Sequence, residues 1–120
     1  MFDYEGRLFR SVSNSDSGEV GEDTIFHYHQ DKDIVWADYS GGKIVRGMLI
    51  AQVLDGGVLD MRYQHVNLNG ELMTGVCTST PEVLPDGRYR MHEIWQWTSG
   101  DQSSGESVIE EVPLKDLMQS

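Results

Sequence analysis

One stretch of the chain alternates without a break between two kinds of side chain: Arg88-Tyr89-Arg90-Met91-His92-Glu93-Ile94-Trp95-Gln96-Trp97. Its odd-numbered positions are dominated by aromatic rings and Met, whereas its even-numbered positions are mostly polar. Successive side chains of a β-strand point to opposite faces, so this period of two predicts a strand with one buried face. Glu93 stands out, because it shares the aromatic face.

The same period continues outward from this strand. Leu59, Met61, Tyr63 and His65 alternate with polar neighbours, and Val45, Leu49, Ala51 and Val53 share a face that Gly47 interrupts. Turn signals rich in Gly, Asn and Asp separate these segments. The predicted strands lie near residues 5–13, 23–30, 33–40, 43–54, 57–66, 71–80, 87–98 and 105–112.

This pattern predicts an all-β fold, specifically a single antiparallel up-and-down β-barrel of about 8 to 10 strands with little or no helix. Closing the sheet removes the two unpaired edges that an open sheet of this kind would leave, which favours a barrel over a β-sandwich, the alternative. Gly47 and Gly75 fall within strands, where a barrel needs sharp coiling or a bulge.

The predicted barrel domain spans residues 1–120. It includes a long flexible loop at 11–21 and a C-terminal tail at 113–120, in which Pro113 could begin one short helical turn reaching Met118.

Charge and composition exclude several classes of partner. The chain has 120 residues with 9 Lys and Arg against 20 Asp and Glu, a formal net charge of −11. Such a surplus repels phosphate backbones and anionic lipid surfaces, so we expect neither nucleic-acid nor membrane binding. A single cysteine, Cys77, excludes an intrachain disulfide, and the acidic N-terminus does not resemble a signal peptide. These features favour a cytoplasmic location.

The aromatic face of the predicted barrel suggests a binding cavity. A carboxylate among rings is costly without a partner, so Glu93 predicts either a polar anchor for a ligand or an interior ion pair with Arg62 or Arg46. We predict a set of ligand-binding residues that combines aromatic walls with polar anchors: Glu93, Trp95, Trp97, Tyr63, Trp36, Arg62 and Tyr89. Strict alternation places Arg62 opposite Tyr63, which weakens its pairing with Glu93.

Two weaker patterns point to catalysis. His27 and His29 lie on one strand face and, with Asp33 or Glu93, could form a cupin-like metal site, although this spacing is a weak signal and an exposed His pair is the favoured interpretation. Cys77 would need a nearby base such as His65 to act as a nucleophile, and a small buried strand residue is the simpler interpretation. We therefore predict no catalytic residue, no metal and no cofactor.

Several segments together resemble a known family: Tyr39-Ser40-Gly41-Gly42, Asp60 to Tyr63, Asn69 to Gly75, Asp86 to Glu93, Trp95-Gln96-Trp97-Thr98-Ser99-Gly100-Asp101 and Gly105 to Glu111. They are similar to small bacterial proteins often labelled N-acetylglutamate synthase, a family of unknown function. The resemblance implies a lipocalin- or avidin-like barrel. The label itself does not fit the chain, because Gln102 to Ser107 neither completes the acetyl-CoA pyrophosphate loop nor opens a helix.

The function that these features favour is binding of a small, partly apolar molecule inside the barrel. Two alternatives stay open: a metal-dependent enzyme that uses His27 and His29, and a structural or interaction protein with a filled barrel, such as a homodimer.

Overall fold

The computed structural model describes residues 2–113 and Asp116. Its strands are β1 (Leu8–Asn14), β2 (Ile25–Asp31), β3 (Ile34–Gly41), β4 (Ile44–Val53), β5 (Leu59–Asn67), β6 (Leu72–Val83), β7 (Tyr89–Trp97) and β8 (Ser104–Glu111). A short 3₁₀ turn, Asp55–Gly57, lies between β4 and β5. Of the predicted turn at 113–118, only Pro113 and Asp116 belong to the described residues.

The strands form one closed barrel in the order β1 to β8, with every neighbouring pair antiparallel. Closure comes from pairing of β1 with β8, in which Phe9 lies opposite Glu111 and Asn14 opposite Ser107. The predicted all-β, up-and-down barrel is thereby confirmed. No described helix is long or apolar enough to span a bilayer.

Alternation along each strand separates a buried interior from an exposed outer surface. On β7, Tyr89, Met91, Trp95 and Trp97 are buried while His92, Ile94 and Gln96 are exposed. On β4 the predicted face is wrong at one position, because Val45 is exposed and Ile44 is buried instead. A register shift between Ile44 and Arg46 reverses the alternation there.

Gly47 and Gly75 make room for interior rings. A Cβ atom on Gly75 would overlap the phenol of Tyr63, which lies directly opposite on β5. A Cβ atom on Gly47 would lie 2.5 Å from the ring of Tyr39 and 2.8 Å from His65 Cβ. Both glycines were predicted as coiling points, and the structure adds the reason: an aromatic ring from the paired strand occupies the space of the absent side chain.

The two ends of the barrel differ. At one end the N-terminal segment packs inward, with Phe2 and Tyr4 against Tyr89 and the Tyr4 hydroxyl donating to the carbonyl of Gly57 at 2.6 Å. At the other end, residues 15–24 connect β1 to β2 across the opening. The predicted loop at 11–21 therefore begins later, because β1 continues through Asn14.

Substituting Gly75→Ala should destabilise the barrel by about 1–3 kcal/mol, because the added methyl group forces Tyr63 out of its position. Urea unfolding of the purified variant measures this loss. Gly21→Ala is the matched control, since no atom lies within 4 Å of its Cβ position. The cost of Gly75→Ala should shrink in a Tyr63→Leu background; an undiminished cost would show that the overlap is not its cause.

Candidate ligand-binding cavity

A cavity of about 50 Å³ lies inside the barrel, toward the end that residues 15–24 cover. This space could hold a few water molecules or one small chemical group. Its walls are mostly aromatic and apolar, with a few polar groups: Asn14, Gly18, Glu19, Val20, Phe26, Tyr39, Leu49, Met61, Tyr63, His65, Cys77, Glu93, Trp95, Trp97 and Ser107.

Glu93 is one of two acidic residues that line this cavity. The strand register places it between two serines, Ser79 on β6 and Ser107 on β8. Ser107 Oγ donates a hydrogen bond to Glu93 Oε1 at 3.2 Å. Burial raises the pKa of Glu93 to about 7, although the nearby Ser79, Ser107 and Cys77 groups each oppose that rise. The side chain keeps some accessible surface, which fits its position on the cavity wall.

Within residues 2–113 and Asp116, no arginine pairs with this carboxylate. Arg62 was predicted as a polar anchor, but it lies on the outer surface, where its Nη1 contacts Asp60 Oδ1 at 2.7 Å. Arg46 is also exposed. Alternation explains both positions, since each residue follows or precedes an inward-facing neighbour. The predicted interior ion pair of Glu93 with Arg62 or Arg46 is therefore wrong.

Two hydroxyl groups near Glu93 lack a hydrogen-bond partner within the described part of the chain. They are Tyr28 Oη and Ser79 Oγ, and both side chains are fully buried. Burial raises the pKa of Tyr28, and the nearby Glu93 and Cys77 raise it further. Neither side chain lines the cavity, so both hydroxyls lie outside the space that a guest would occupy.

Aromatic rings form the walls of the cavity. Trp95 and Trp97 lie with ring centroids 5.6 Å apart, and Tyr63 meets Trp97 edge-on at 5.7 Å. Trp36 was predicted among these walls, but it lies on the outer surface, 40% exposed and stacked on His29. Its strand face carries Ile34 and Asp38, and that face points away from the interior.

Tyr89 is buried inside the barrel but does not line the cavity. It packs at the opposite end, where its hydroxyl accepts a hydrogen bond from the Asp3 backbone at 3.1 Å and Arg7 stacks over its ring. The predicted set therefore divides: Glu93, Trp95, Trp97 and Tyr63 meet at the cavity, whereas Trp36, Arg62 and Tyr89 lie elsewhere.

Hydrogen bonds to a buried histidine hold residues 15–24 over the cavity. His65, only 2% exposed, contacts Glu19 Oε1 through Nε2 at 2.7 Å and Tyr39 Oη through Nδ1 at 3.0 Å. Burial lowers the pKa of His65 despite the neighbouring Glu19, so the ring is neutral at pH 7. Because a carboxylate only accepts, Nε2 carries the proton and Nδ1 accepts from Tyr39. Glu19 also accepts from Asn67 Nδ2 at 2.9 Å.

The indoles of the cavity bind the same loop region. Trp97 Nε1 donates to the Ser17 carbonyl at 3.0 Å, and Trp95 Nε1 donates to Asn14 Oδ1 at 3.2 Å. Asn14 reaches the interior because a bulge inserts one extra residue, Val12, into β1 opposite β8. Sequence patterns gave no signal for Asn14 or Glu19, since neither stands in an alternating segment.

The sequence analysis named two alternative chemical sites, a metal site at His27 and His29 and a nucleophile at Cys77, and the structure shows the surroundings of both. His27 and His29 lie on the outer side of β2 with ring centroids 4.5 Å apart, and His29 Nδ1 is 3.5 Å from Glu5. Among residues 2–113 and Asp116, no group of three His, Cys, Asp or Glu side chains is placed to hold a metal ion. Cys77 is buried, and burial raises the pKa of its thiol, which disfavours the nucleophilic thiolate.

A closed eight-stranded barrel with a cavity at one end places the chain among the small antiparallel barrel proteins of the lipocalin and avidin type. More narrowly, it belongs to the avidin-like protein family, whose sequence profile matches residues 2–112. No curated protein and no solved structure matches the chain. The expected avidin-like barrel agrees with this family, whereas no comparison supports the N-acetylglutamate synthase label.

Substituting Glu93→Gln should make the barrel more stable at neutral and alkaline pH. The folded chain holds this carboxyl with a raised pKa of about 7, against an ordinary value of 4.5. The unfolded chain therefore releases its proton first as the pH rises, and the wild type loses stability between those two values. The advantage of the variant should grow through that window to at most about 3 kcal/mol and then stay constant.

Unfolding midpoints measured from pH 4 to 9 test this pH dependence. Glu22→Gln changes an exposed acid of the covering loop and should give a curve parallel to the wild type. If the Glu93→Gln curve is also parallel to the wild-type curve, the pKa of Glu93 is not raised in the folded protein.

Substituting Glu19→Ala should release residues 15–24 from the barrel, since it removes the acceptor shared by His65 and Asn67. The hydrogen bond of the Trp97 indole to this loop would weaken with it. A Trp36→Phe background removes the exposed indole, so that fluorescence reports only Trp95 and Trp97. Acrylamide should then quench the Glu19→Ala protein several-fold more efficiently than the parent. Glu22→Ala is the control in the same loop; equal quenching in both variants would contradict the fastening role of Glu19.

Proposed function

We propose that this protein binds a small molecule in the cavity between Trp95, Trp97, Tyr63 and Glu93, under the loop formed by residues 15–24. The observation that carries this proposal is a carboxylate, Glu93, on the wall of an aromatic-lined space inside the barrel that no Lys or Arg of residues 2–113 lines. Small-molecule sites combine such apolar walls with a few convergent polar groups. Membership of the avidin-like family supports the same role.

The contents of the site favour binding over catalysis. Burial keeps Cys77 protonated, and both ring nitrogens of His65 are engaged by Tyr39 and Glu19. Neither group is therefore ready to act as nucleophile or base. The loop fastening is consistent with a binding protein, because a covering loop excludes water and slows release of a guest.

A second role is self-association, favoured by apolar side chains on the outer surface of β3 and β4. Ile34, Trp36, Met48 and Ile50 are all exposed, and Trp36 lies opposite Ile50 in the strand register. A homodimer that covers this surface would be compatible with an occupied cavity, because the two sites lie on opposite sides of the sheet.

Binding inside the cavity can be tested with a panel of small methyl-substituted compounds: methylammonium, methylguanidinium, N-methylurea, N-methylacetamide and methanol. At least one should raise the unfolding temperature in a saturable way. Leu49→Phe adds a ring that fills the cavity and should abolish the response, whereas the neighbouring Ile50→Phe on the outer surface should retain it.

Cys77→Met fills the same space from β6 and serves if Leu49→Phe fails to fold. A response from no compound in the panel, or an equal response in the filled and unfilled variants, would contradict binding in the barrel interior.

A further inference from the structure

The interior of the barrel carries negative charge without a matching cation. Glu93 and Glu19 both line the cavity, and no Lys or Arg of residues 2–113 does. His65 also lines it, but burial holds its pKa low and leaves the ring neutral. The groups near Glu93 are hydroxyls and a thiol, and none of them carries a positive charge: Ser107, Ser79, Cys77 and Tyr28.

An uncompensated carboxylate of this kind is costly to keep in a protein interior. Many proteins remove the cost with an arginine, and this chain has arginines on neighbouring outward positions, such as Arg62 and Arg90. Both are instead paired with surface acids, Asp60 and Glu110. The fold thus leaves the interior charge to be neutralised by a proton or by a guest.

The aromatic walls fit a positive guest. Trp95, Trp97, Tyr63 and Tyr39 surround the cavity, and the faces of such rings attract cations that have lost their water. On the cavity wall, the carboxylate of Glu93 and the neighbouring Ser107 Oγ can both accept hydrogen bonds from N–H groups. A cation with several N–H donors would therefore place its charge against the carboxylate and its donors on these oxygens.

We infer that the cavity binds a small organic cation, an ammonium or guanidinium group, with its charge against Glu93 and its body among the rings of Trp95, Trp97 and Tyr63. This inference rests on the proposed function and adds the charge of the guest to it. The cavity of about 50 Å³ admits the charged end of such a molecule, and a longer substituent would have to pass the loop at residues 15–24.

Two compounds of nearly the same shape separate charge from shape. Methylguanidinium and N-methylurea are both planar and of nearly the same size, but the first is a cation, and the second is neutral with a carbonyl oxygen in place of one amino group. Both are titrated into Trp36→Phe protein at pH 8, with the ionic strength held equal by sodium chloride and the fluorescence of Trp95 and Trp97 as the readout. Methylguanidinium should bind at least tenfold more tightly.

Variants of Glu93 assign this preference to its charge. Glu93→Gln should abolish the preference or reverse it, whereas Glu93→Asp keeps the charge and should retain the preference with weaker binding. Glu22→Gln removes an equal charge from the surface and should leave the preference unchanged, which controls for the net charge of −11. Circular dichroism of each variant establishes that it is folded before titration.

The preference should also decline as the pH falls from 8 toward 5, because Glu93, whose pKa is raised to about 7, takes up its proton in that range. The pH series is read with the other titratable groups around Glu93 in view: Glu19, Tyr39, Tyr63, His65 and Cys77 line the cavity, and Tyr28 on β2 lies outside that lining. The Glu93→Gln protein, which keeps all six, should show no such decline in the ratio of the two affinities.

Each remaining outcome overturns the inference. If N-methylurea binds as tightly as methylguanidinium or more tightly, the guest is neutral, and the proposed binding function survives without its cationic ligand. If neither compound binds saturably, the cationic site is absent, and the five-compound panel with the cavity-filling variants decides the binding function separately. A preference that persists unchanged in Glu93→Gln would place the cation elsewhere on the acidic surface.

Discussion

Pairing between the first and last strands is the interaction on which the rest of this structure depends. It closes the sheet, satisfies both edges and turns a two-faced meander into a surface with an inside and an outside. An eight-stranded barrel has an interior that side chains can nearly fill. In this chain the buried side chains, among them the rings over Gly47 and Gly75, fill most of it, and the small space that is left lies next to Glu93.

The interior carboxylate is a stability cost that the fold retains. Its raised pKa means that ionising Glu93 at neutral pH works against folding, and a glutamine at this position would avoid that loss. Ser79 and Ser107 flank it at the same level of the barrel and limit the penalty without removing it. Titratable groups that are costly to the fold and poorly paired are concentrated at functional sites, and we therefore interpret Glu93 as part of a binding site.

The covering loop connects the cavity to the rest of the molecule. Glu19 contacts His65 on β5, and the Ser17 carbonyl accepts a hydrogen bond from the indole of Trp97 on β7, so two separated strands hold one loop. A guest that enters or leaves must disturb these contacts. The tautomer of His65, fixed by Glu19 and Tyr39, makes the loop and the cavity wall parts of one hydrogen-bonded chain.

Sequence patterns predicted the all-β class, the strand positions to within a few residues, the inward face of β7 with Glu93, and the placement of Arg62 on the face opposite Tyr63. Alternation is a local property of extended backbone, so local patterns reveal it. Only the folded barrel shows that Trp36 faces outward and that Asn14 and Glu19 reach the cavity. Which face of a strand points inward depends on the closure of all eight strands together. Contacts made through a bulge or a loop join residues that are far apart in the chain, so the local alternation of side chains does not predict them.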